Sequence, residues 1–529
     1  MFHRKISKFL IINIYTTSKE LFMKNTKKLS AIILSAIMLA TGCADNTAPG
    51  GSTEIKESAA NSSDNNESNG GNTDTAAESK SVKDVVGDIK VDTKVKILSW
   101  YDHNNQNVAK TYKELFGVPE NTPIGYEKNK YRNSSSESTA DEEPFVSIKV
   151  SSYSERYFDL ARLIQSDDSP DAFPCDSMFP YYSIDHDSNL LFAPVDDIVD
   201  FSLAEFARYE QAQKKTTIGK SNFVPVYNTK LSEFLWYKAS TVKENGLEDP
   251  WALYEKDEWT WSKFLEMSEK FTDKEKGKYA IDGYSADIYL WTTTGVPLVG
   301  LSGGKLEGNF RNEKIIKAMD FVRQFATTQK GYRYPREVVN GWAPSYSDWA
   351  DGNTLFYNDG DWECEDIWSK YKKKYGWGDD EINFVPFPRC DDEQTYYQSI
   401  IINSFMFPKG SKNAEGYKSL IYAGALAKSN EEQKNIARQN AKSEYDWTDR
   451  LLDRMDRIND PAAFVPVIEF KQICVDPNPL YCGESYMHAM EGWCYMDGQD
   501  YKKNLEDEEK GEYVPAIEAY LDDLNSKIS

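Results

Sequence analysis

The 529-residue sequence contains few of the side chains on which metal and nucleophile chemistry depends. It has only four histidines, and none of them has the H-E-x-x-H spacing of a metal site. No G-x-S-x-G nucleophile elbow is present. The sequence around Gly304-Lys305 does not match the phosphate-loop motif. Val299 stands where the motif has its first glycine, and Leu306 stands where it has the serine or threonine that coordinates magnesium. We therefore expect a protein that is not an enzyme and that uses no cofactor and no metal.

Positive charge is also scarce. The chain carries 62 basic and 85 acidic residues, which gives a net charge of −23. Seven of the basic residues and one of the acidic residues precede Cys43, so the chain from Cys43 onward has a net charge of −29. Nucleic acids and anionic membrane surfaces are bound by clustered lysine and arginine. The composition therefore argues against both as binding partners.

The sequence lacks an apolar run of the ~20 residues that a membrane-spanning helix needs. A shorter apolar run over residues 31–40 follows three lysines and precedes small residues, which is the order of a secretory signal peptide. We expect residues 1–42 to be this signal. Residues 1–22 lie upstream of a complete signal and are interpreted as an over-extended start.

The signal ends in Leu39-Ala40-Thr41-Gly42-Cys43, which resembles the bacterial lipobox. The resemblance implies that Cys43 is lipidated and becomes the mature N-terminus. Residues 44–81 consist almost entirely of small and polar residues, which bury too little apolar surface to offset the entropy of ordering. We therefore expect residues 43–90 to be a lipidated cysteine with a disordered spacer, and residues 91–529 to form the folded part.

Roughly 440 residues remain in that folded part, which exceeds the size at which one core stops growing and predicts two lobes. Aromatic residues make up 13% of the chain, including 13 tryptophans and 33 tyrosines. Their rings offer broad apolar faces that stack on sugar rings. The six cysteines after Cys43 include no C-x-x-C pair, so either a disulfide among Cys474, Cys482 and Cys494 or free buried thiols are compatible with the sequence.

The start of the folded part has a strand–helix–strand pattern. Residues 94–99 and 146–150 alternate as strands, an irregular insertion is expected over residues 119–144, and residues 157–164 carry apolar side chains at helical spacing. A third short strand or a turn at Phe173 follows, and the order of strand, helix and strand predicts a parallel sheet. Further expected elements are strands at residues 223–227 and 233–237, a helix capped by Thr260 and a helix over residues 315–326.

Seven stretches match one family pattern in order: Tyr157–Ile164 with Ser169-Pro170-Asp171, Asn189–Val195 with Asp196-Asp197, Leu235–Lys238, Asn245–Pro250, Glu258–Phe264, Gly352–Tyr357 with Gly360–Glu363, and Asn383–Pro388. Together they resemble the extracellular solute-binding proteins of bacterial importers, the group that includes maltose-binding protein. One departure concerns Tyr227–Leu231, which competes with Leu235–Lys238 for the same family segment.

The resemblance implies an α/β, two-lobed periplasmic-binding-protein-like fold of type II, with a cleft between lobes joined by crossing hinge strands. Lobe 1 is expected at about 91–205 and 400–440, and lobe 2 at about 206–399 and 441–529. The implied function is that of a lipid-anchored receptor of an ABC transporter. It would be a monomer on the extracellular face of the cell membrane that captures a carbohydrate, an oligosaccharide, for the permease subunits.

The family pattern also nominates ligand-binding residues by position. Tryptophan rings would stack on the apolar faces of a pyranose, and aspartates would accept hydrogen bonds from its hydroxyl groups. The nominated residues are Trp100, Tyr101, Asp102, Asp176, Tyr227, Tyr237, Trp291 and Trp362.

Three alternatives stay open on the sequence alone. The same architecture could bind a non-sugar polar solute such as a peptide or a polyamine. It could also serve a surface adhesin or a sensor without transport. A secreted glycosidase needs only two carboxylates and a few aromatic side chains, although no local pattern supports one.

Overall fold

A computed structural model describes residues 80–88, 95–100, 124–126, 146–185, 190–283, 286–327, 329–335, 343–360, 369–474, 494, 497–507 and 513–528. All of them belong to one compact unit, Ala77–Ser529. No helix within these ranges has both the length and the apolar composition that crossing a bilayer requires.

The strands of the described residues are β1 Val95–Ser99, β2 Ile124–Tyr126, β3 Val146–Val150, β4 Phe173–Pro174, β5 Phe192–Ala193, β6 Thr217–Ile218, β7 Ser221–Asn222, β8 Thr229–Leu231, β9 Phe234–Lys238, β10 Tyr279–Gly283, β11 Val299–Ser302, β12 Lys305–Gly308, β13 Thr354–Asp359, β14 Ile382–Val385, β15 Tyr397–Ile402, β16 Phe405–Pro408 and β17 Val465–Val467.

The helices are α1 Val82–Val85, α2 Arg156–Gln165, α3 Phe179–Tyr182, α4 Ala204–Ala207, α5 Glu210–Lys214, α6 Ala239–Glu244, α7 Pro250–Glu255, α8 Trp261–Phe271, α9 Ala286–Thr292, α10 Glu313–Arg323, α11 Tyr346–Ala350, α12 Ser369–Tyr375, α13 Ala414–Ser429, α14 Glu431–Tyr445, α15 Asp449–Ile458, α16 Tyr501–Glu506 and α17 Tyr513–Ser526.

A first group of sheets contains the predicted strand–helix–strand unit. β3 lies between β1 and β2, and all three strands are parallel. A parallel bridge between Ile97 and Ala172 adds the segment that leads into β4. β4 and β5 both pair antiparallel with β16, which comes from much later in the chain. The carboxyl ends of β1, β3 and β4 therefore lie at one edge.

The second group is a mixed sheet with the order β10–β13–β9–β14. β10 and β13 are parallel, whereas β9 runs antiparallel to both β13 and β14. A smaller sheet, β17–β15–β8, lies where the chain passes between the two groups. There β8 and β15 pair antiparallel, and β15 continues into β16 of the first group. Two crossing strands of this kind are what the sequence resemblance predicted for a hinge.

Large apolar side chains fill the cores. One cluster extends through both groups and includes five fully buried tryptophans, among them Trp236 of β9 and Trp261 of α8. A second cluster packs the almost entirely buried helix α13 against the first group. Burying a large apolar side chain contributes roughly 1.5–3 kcal/mol, so these rings account for much of the stabilisation of each core.

Several local predictions are confirmed. β1 and β3 lie where the alternating pattern placed them, a short strand, β4, begins at Phe173, and α2 covers the predicted helix. Thr260 caps α8, and its side chain accepts a hydrogen bond from the Lys263 backbone amide. In place of a phosphate loop, Gly303 and Gly304 form the tight turn of the β11–β12 hairpin.

Two expected elements differ. Residues 223–227 form no strand, because Gln213 replaces a strand partner: its amide donates to the Val224 carbonyl at 2.9 Å and accepts from the Val226 amide at 2.8 Å. The expected irregular insertion at 119–144 contains β2, which pairs with β3. In both places long-range pairing overrides the local pattern.

The folded part also begins earlier than the expected residue 91. Ser81 caps α1 in a capping box with Asp84. Its hydroxyl donates to Glu205 at 2.6 Å, and the Val82 amide donates to the other oxygen of the same carboxylate at 2.9 Å. Val82 is fully buried against the core around α13. The described folded part therefore includes this turn, which docks on the first group.

Candidate functional site

Side chains from three strand ends meet at the carboxyl edge of the first group. Trp100 follows β1, Ser151 follows β3, and Asp176 comes two residues after β4. These three ends lie together because β1 and β3 are parallel and the segment before β4 bridges to β1 in the same direction. In open α/β sheets, ligands bind in the crevice outside such carboxyl ends. This edge is therefore the candidate site of the first lobe.

Asp176 is held at this edge by three donors. Arg156 Nε donates to Asp176 Oδ2 at 2.8 Å, while the Tyr157 hydroxyl and the Met178 amide donate to Oδ1. The side chains of Arg156 and Asp176 are only 5% and 13% exposed. Burial by itself lowers the pKa of Arg156, but the adjacent Asp176 carboxylate more than offsets it and the net pKa is raised. Burial, and then Asp176, raise the pKa of Tyr157, so this phenol stays neutral.

An aromatic surface lies over this ion pair. The Arg156 guanidinium stacks 3.8 Å from the centroid of the Tyr153 ring and 5.2 Å from that of Trp100. Trp100 packs at 5.4 Å against Phe173 of β4 and meets Tyr153 edge-on at 5.9 Å. Tyr153 is 59% exposed, whereas Trp100 is half-buried. A cation over aromatic rings holds their orientation, so the edge presents two fixed rings beside a carboxylate.

The equivalent edge of the second group carries a buried polar cluster. The Ser345 amide donates to Asp282 of β10 at 2.7 Å. Asn358 of β13 donates from its side chain to Glu233, and the Tyr346 hydroxyl lies 3.5 Å from Asp359. Burying three carboxylates requires such donors, since an unpaired buried charge is costly. The cluster fixes the carboxyl ends of β10 and β13.

Gly283 shows how tightly these two strand ends approach one another. Its φ of 112° lies in the region that favours glycine, and a Cβ atom placed on it would be 2.2 Å from the Asn358 carbonyl oxygen. Any larger residue would have to push β10 away from β13.

Trp362, one of the nominated residues, comes three residues after Asp359, the last residue of β13, in the sequence.

Three nominated residues have packing partners in the interior. Tyr227 is 6% exposed and lies in the core around α13. Tyr237 is fully buried, and its hydroxyl donates to Asp249 and accepts from the Trp251 amide at 3.3 Å. Burial, and then Asp249, raise the pKa of the Tyr237 phenol. These contacts account for the positions of both tyrosines within the cores.

Trp291 is also fully buried, at the end of α9. Its Nε1 donates to Glu469 at 3.0 Å, and Lys471 Nζ lies 5.3 Å from its ring centroid. Glu469 further accepts from the backbone amides of Leu298 at 2.8 Å and Val299 at 3.0 Å. One carboxylate thus joins the segment after β17 to the loop that follows α9.

Of the nominated residues, Trp100 and Asp176 meet at one site. Tyr101, Asp102, Trp362 and the lipidation candidate Cys43 lie outside the described residues. Tyr153 and Arg156 were not nominated, although Tyr153 follows the predicted strand β3 just as Trp100 follows β1. Comparing the residues after each parallel strand would have found it.

Across the part of the chain that the structure describes, no group of histidine, cysteine, aspartate and glutamate side chains could hold a metal ion. Cys175, next to Asp176, and the buried Cys390 carry free thiols. Burial, and then the neighbouring Asp176, raise the pKa of the Cys175 thiol, which keeps it protonated. The disulfide among Cys474, Cys482 and Cys494 stays a prediction.

Solved structures share this fold at low identity. An extracellular solute-binding protein from Staphylococcus aureus, in complex with maltose, has 12% identity and a TM-score of 0.53 over 82% of this chain and 98% of that chain. A sugar-binding protein from Xanthomonas citri has 14% identity and a TM-score of 0.51 over 82% and 98%. An ABC substrate-binding protein from Listeria monocytogenes, in complex with cycloalternan, has 11% identity and a TM-score of 0.51 over 81% and 98%.

At these identities the structural matches establish the fold, which is the expected α/β architecture with two lobes. No curated protein sequence matches the chain. The sequence profile of one family, described as bacterial extracellular solute-binding protein, matches residues 145–439, which is more than half of the chain. This family consists of binding proteins rather than enzymes. The chain therefore belongs to the bacterial extracellular solute-binding proteins.

Proposed function

We propose that this protein captures an oligosaccharide between its lobes and delivers it to the permease subunits of an ABC importer. The observation that carries the proposal is the carboxyl edge of the first lobe, where Trp100 and the exposed Tyr153 are held by Arg156 beside Asp176. Fixed aromatic faces next to hydrogen-bonding groups suit the alternating apolar faces and hydroxyl rims of pyranose rings.

The charge of the site favours a neutral ligand. Arg156 and Asp176 neutralise one another at 2.8 Å, and each is largely buried, so neither presents a net charge to a solute. A peptide terminus or a polyamine would need an unpaired counter-charge. The maltose and cycloalternan in the related structures named above are neutral sugars of the same kind.

The nominated residues enter this proposal with different roles. Trp100 would stack on the sugar, and Asp176 would act chiefly by holding Arg156 and Tyr157, because three donors already occupy its oxygens. Tyr101 and Asp102 directly follow Trp100 and would line the same edge. Trp362 would face the ligand from the second lobe, while Tyr227, Tyr237 and Trp291 would support the walls from within the cores.

The cellular setting is part of the same proposal. Cys43 would carry the lipid that holds the protein at the extracellular face of the cell membrane, with residues 1–42 removed as the signal. The protein would act as a monomer and contact the membrane only through this lipid. The lobes would comprise about 91–205 and 400–440, and about 206–399 and 441–529, with α1 added to the first.

Calorimetric titration of the protein from Lys80 onward with maltotetraose, cellotetraose, a tetrapeptide and spermidine tests the ligand class. We expect one tetrasaccharide to bind and to be recovered unchanged, and Trp100→Ala to weaken it about tenfold or more, the loss of one stacked ring. Phe158→Ala is the matched control, because Phe158 is an exposed aromatic residue of α2 that is 68% accessible.

Three results would contradict the proposal. Binding of the tetrapeptide or spermidine in place of any sugar would make the ligand class wrong. Equal loss of affinity in Trp100→Ala and Phe158→Ala would show that the ligand does not bind at the carboxyl edge. Cleavage of a tetrasaccharide would show that the protein is a glycosidase and not a receptor.

A further inference from the structure

A second aromatic surface lies at the opposite edge of the second lobe. β14 begins at Ile382, which pairs with Lys238 at the end of β9, so the segment before β14 lies at the amino edge of β13 and β14. The carboxyl ends of β10 and β13, which face the proposed cleft, are at the other edge. Helix α12 and the turn after it therefore lie away from the cleft.

Three rings of this segment have nearly the same orientation. Tyr371 and Tyr375 of α12 and Trp377 after it have planes within 16° of one another and centroids 5.2–6.3 Å apart. Directly superposed rings would be closer, so the three are displaced sideways and form a stepped platform. Tyr375 is 37% exposed, and the other two are half-buried.

The platform is fixed from beneath. Trp377 meets the fully buried Trp349 edge-on at 6.0 Å, and Lys238 Nζ lies 5.1 Å from its ring centroid. The Tyr375 hydroxyl donates to Asp351 at 3.0 Å. Lys374 extends across Tyr371 and Tyr375, with its ammonium 4.9 Å from the Tyr375 centroid, where it can donate to a hydroxyl group. The rings are thus presented in one orientation before any ligand binds.

A small groove with a largely apolar lining lies on the neighbouring face of α12. It runs between α12 and the turn that joins α14 to α15, and Trp447 lines it. Lys372 crosses the groove and donates to Asp379 at 2.6 Å and to Asp446 at 2.8 Å. The lysine is 13% exposed, whereas the two carboxylates are 73% and 56% exposed. Both carboxylates therefore keep lone pairs that can accept from a ligand.

The balance of charge selects the chemistry of the ligand. Lys372 pairs with both Asp379 and Asp446, so the charged groups of the groove beside the rings are already engaged with one another. Parallel aromatic rings beside paired donors and acceptors fit a neutral chain of pyranose rings, whose faces stack and whose hydroxyls both donate and accept. A peptide would gain less, since it has no flat, hydroxyl-rimmed faces.

We propose that the α12 surface, made of Tyr371, Tyr375, Trp377, Trp447 and the Lys372 ion cluster, is a second carbohydrate-binding site for a neutral polysaccharide. It goes beyond the proposed uptake function, because it is remote from the cleft and does not depend on closure of the lobes. Its role would be to hold the receptor beside a polymer from which soluble oligosaccharides are released.

Affinity electrophoresis of the full chain in gels that contain amylopectin, mixed-linkage β-glucan or xylan tests this site. The Trp100→Ala background removes the contribution of the cleft. We expect at least one polymer to retard this protein, Tyr375→Ala to raise the dissociation constant about tenfold, and Tyr375→Phe to keep the retardation, because the ring and not the hydroxyl would carry binding. Trp447→Ala tests the groove separately.

The outcomes separate this site from the cleft. Retardation of the Trp100→Ala protein that is lost in Tyr375→Ala supports the α12 surface even where no tetrasaccharide binds the cleft. The proposal is overturned where none of the three polymers retards the Trp100→Ala protein, or where a retarding polymer acts equally on Tyr375→Ala and Tyr375→Phe. Equal melting temperatures of the two Tyr375 variants show that the comparison is not one of folding.

Discussion

Replacement of Glu469 gives the sharpest test of how the segment after β17 is secured to the loop that follows α9. This carboxylate accepts hydrogen bonds from Trp291 Nε1 and from the amides of Leu298, Val299 and Lys471, at 2.8–3.0 Å. Trp291, Leu298 and Val299 are fully buried, so water cannot replace the lost acceptor at these three donors. We expect Glu469→Ala to destabilise the protein by about 3 kcal/mol, at the lower limit of ~1 kcal/mol for each unsatisfied buried donor.

Glu469→Gln separates shape from hydrogen bonding. Glutamine fills the same space but turns one acceptor oxygen into a donor. One or two of the three fully buried donors then lose their acceptor, depending on which oxygen is replaced, so about 1–2 kcal/mol is expected at the same cost for each donor. Both losses are a large part of the ~5–15 kcal/mol that stabilises a folded domain.

Urea unfolding, followed by tryptophan fluorescence, measures both changes. Glu307→Gln is the matched control, since Glu307 is an exposed glutamate on the adjacent strand β12. The expected order of midpoints is Glu307→Gln equal to the parent, then Glu469→Gln, then Glu469→Ala. Midpoints for both Glu469 variants within error of the parent would refute the reasoning, because the carboxylate would then contribute nothing.

Three further predictions concern other parts of the chain. Gly283→Ala is expected to lower the melting temperature and to cost about 1–3 kcal/mol, because the new Cβ would clash with the Asn358 carbonyl; an unchanged melting temperature would contradict it. Glu205→Gln should expose the segment before Val82 to limited proteolysis, since two bonds to that carboxylate hold it, and equal cleavage rates in parent and variant would argue against the clamp. Burial, and then Asp348, raise the pKa of Tyr334 to about 12. Its neutral form is favoured by folding, so its stabilisation is present below pH ~10, where the unfolded phenol ionises, and is lost as the pH rises towards 12. Urea midpoints at pH 9 and pH 11 should therefore differ less in Tyr334→Phe than in the parent.

The parts of the fold that the sequence predicts are those decided locally. β1 and α2 follow from side-chain periodicity, and the cap at Thr260 follows from the preference of its hydroxyl for a free backbone amide. The wrongly predicted strand at 223–227 has a strand-like composition, yet its partner is the side chain of Gln213 from an earlier helix. No window of sequence contains that pairing.

The candidate site was predictable only in part for a related reason. Trp100 follows an evident strand, and the rule that ligands bind at carboxyl ends then points to it. Tyr237 and Trp291 have the same residue types, but their hydrogen bonds to Asp249 and Glu469 lie within the interior. An aromatic side chain with a polar handle suits a core and a sugar equally well, so sequence pattern alone does not separate the two environments.

The contacts of Ser81 and Val82 with Glu205 also determine which lobe a tether on the N-terminal side would hold. They fasten the start of the folded chain to the first lobe, against the core around α13. When the chain is held from its N-terminal side, that lobe becomes the fixed frame. Any bending at β8 and β15 would then displace the second lobe, together with Trp377 and the other rings beside it, relative to the tethered first lobe.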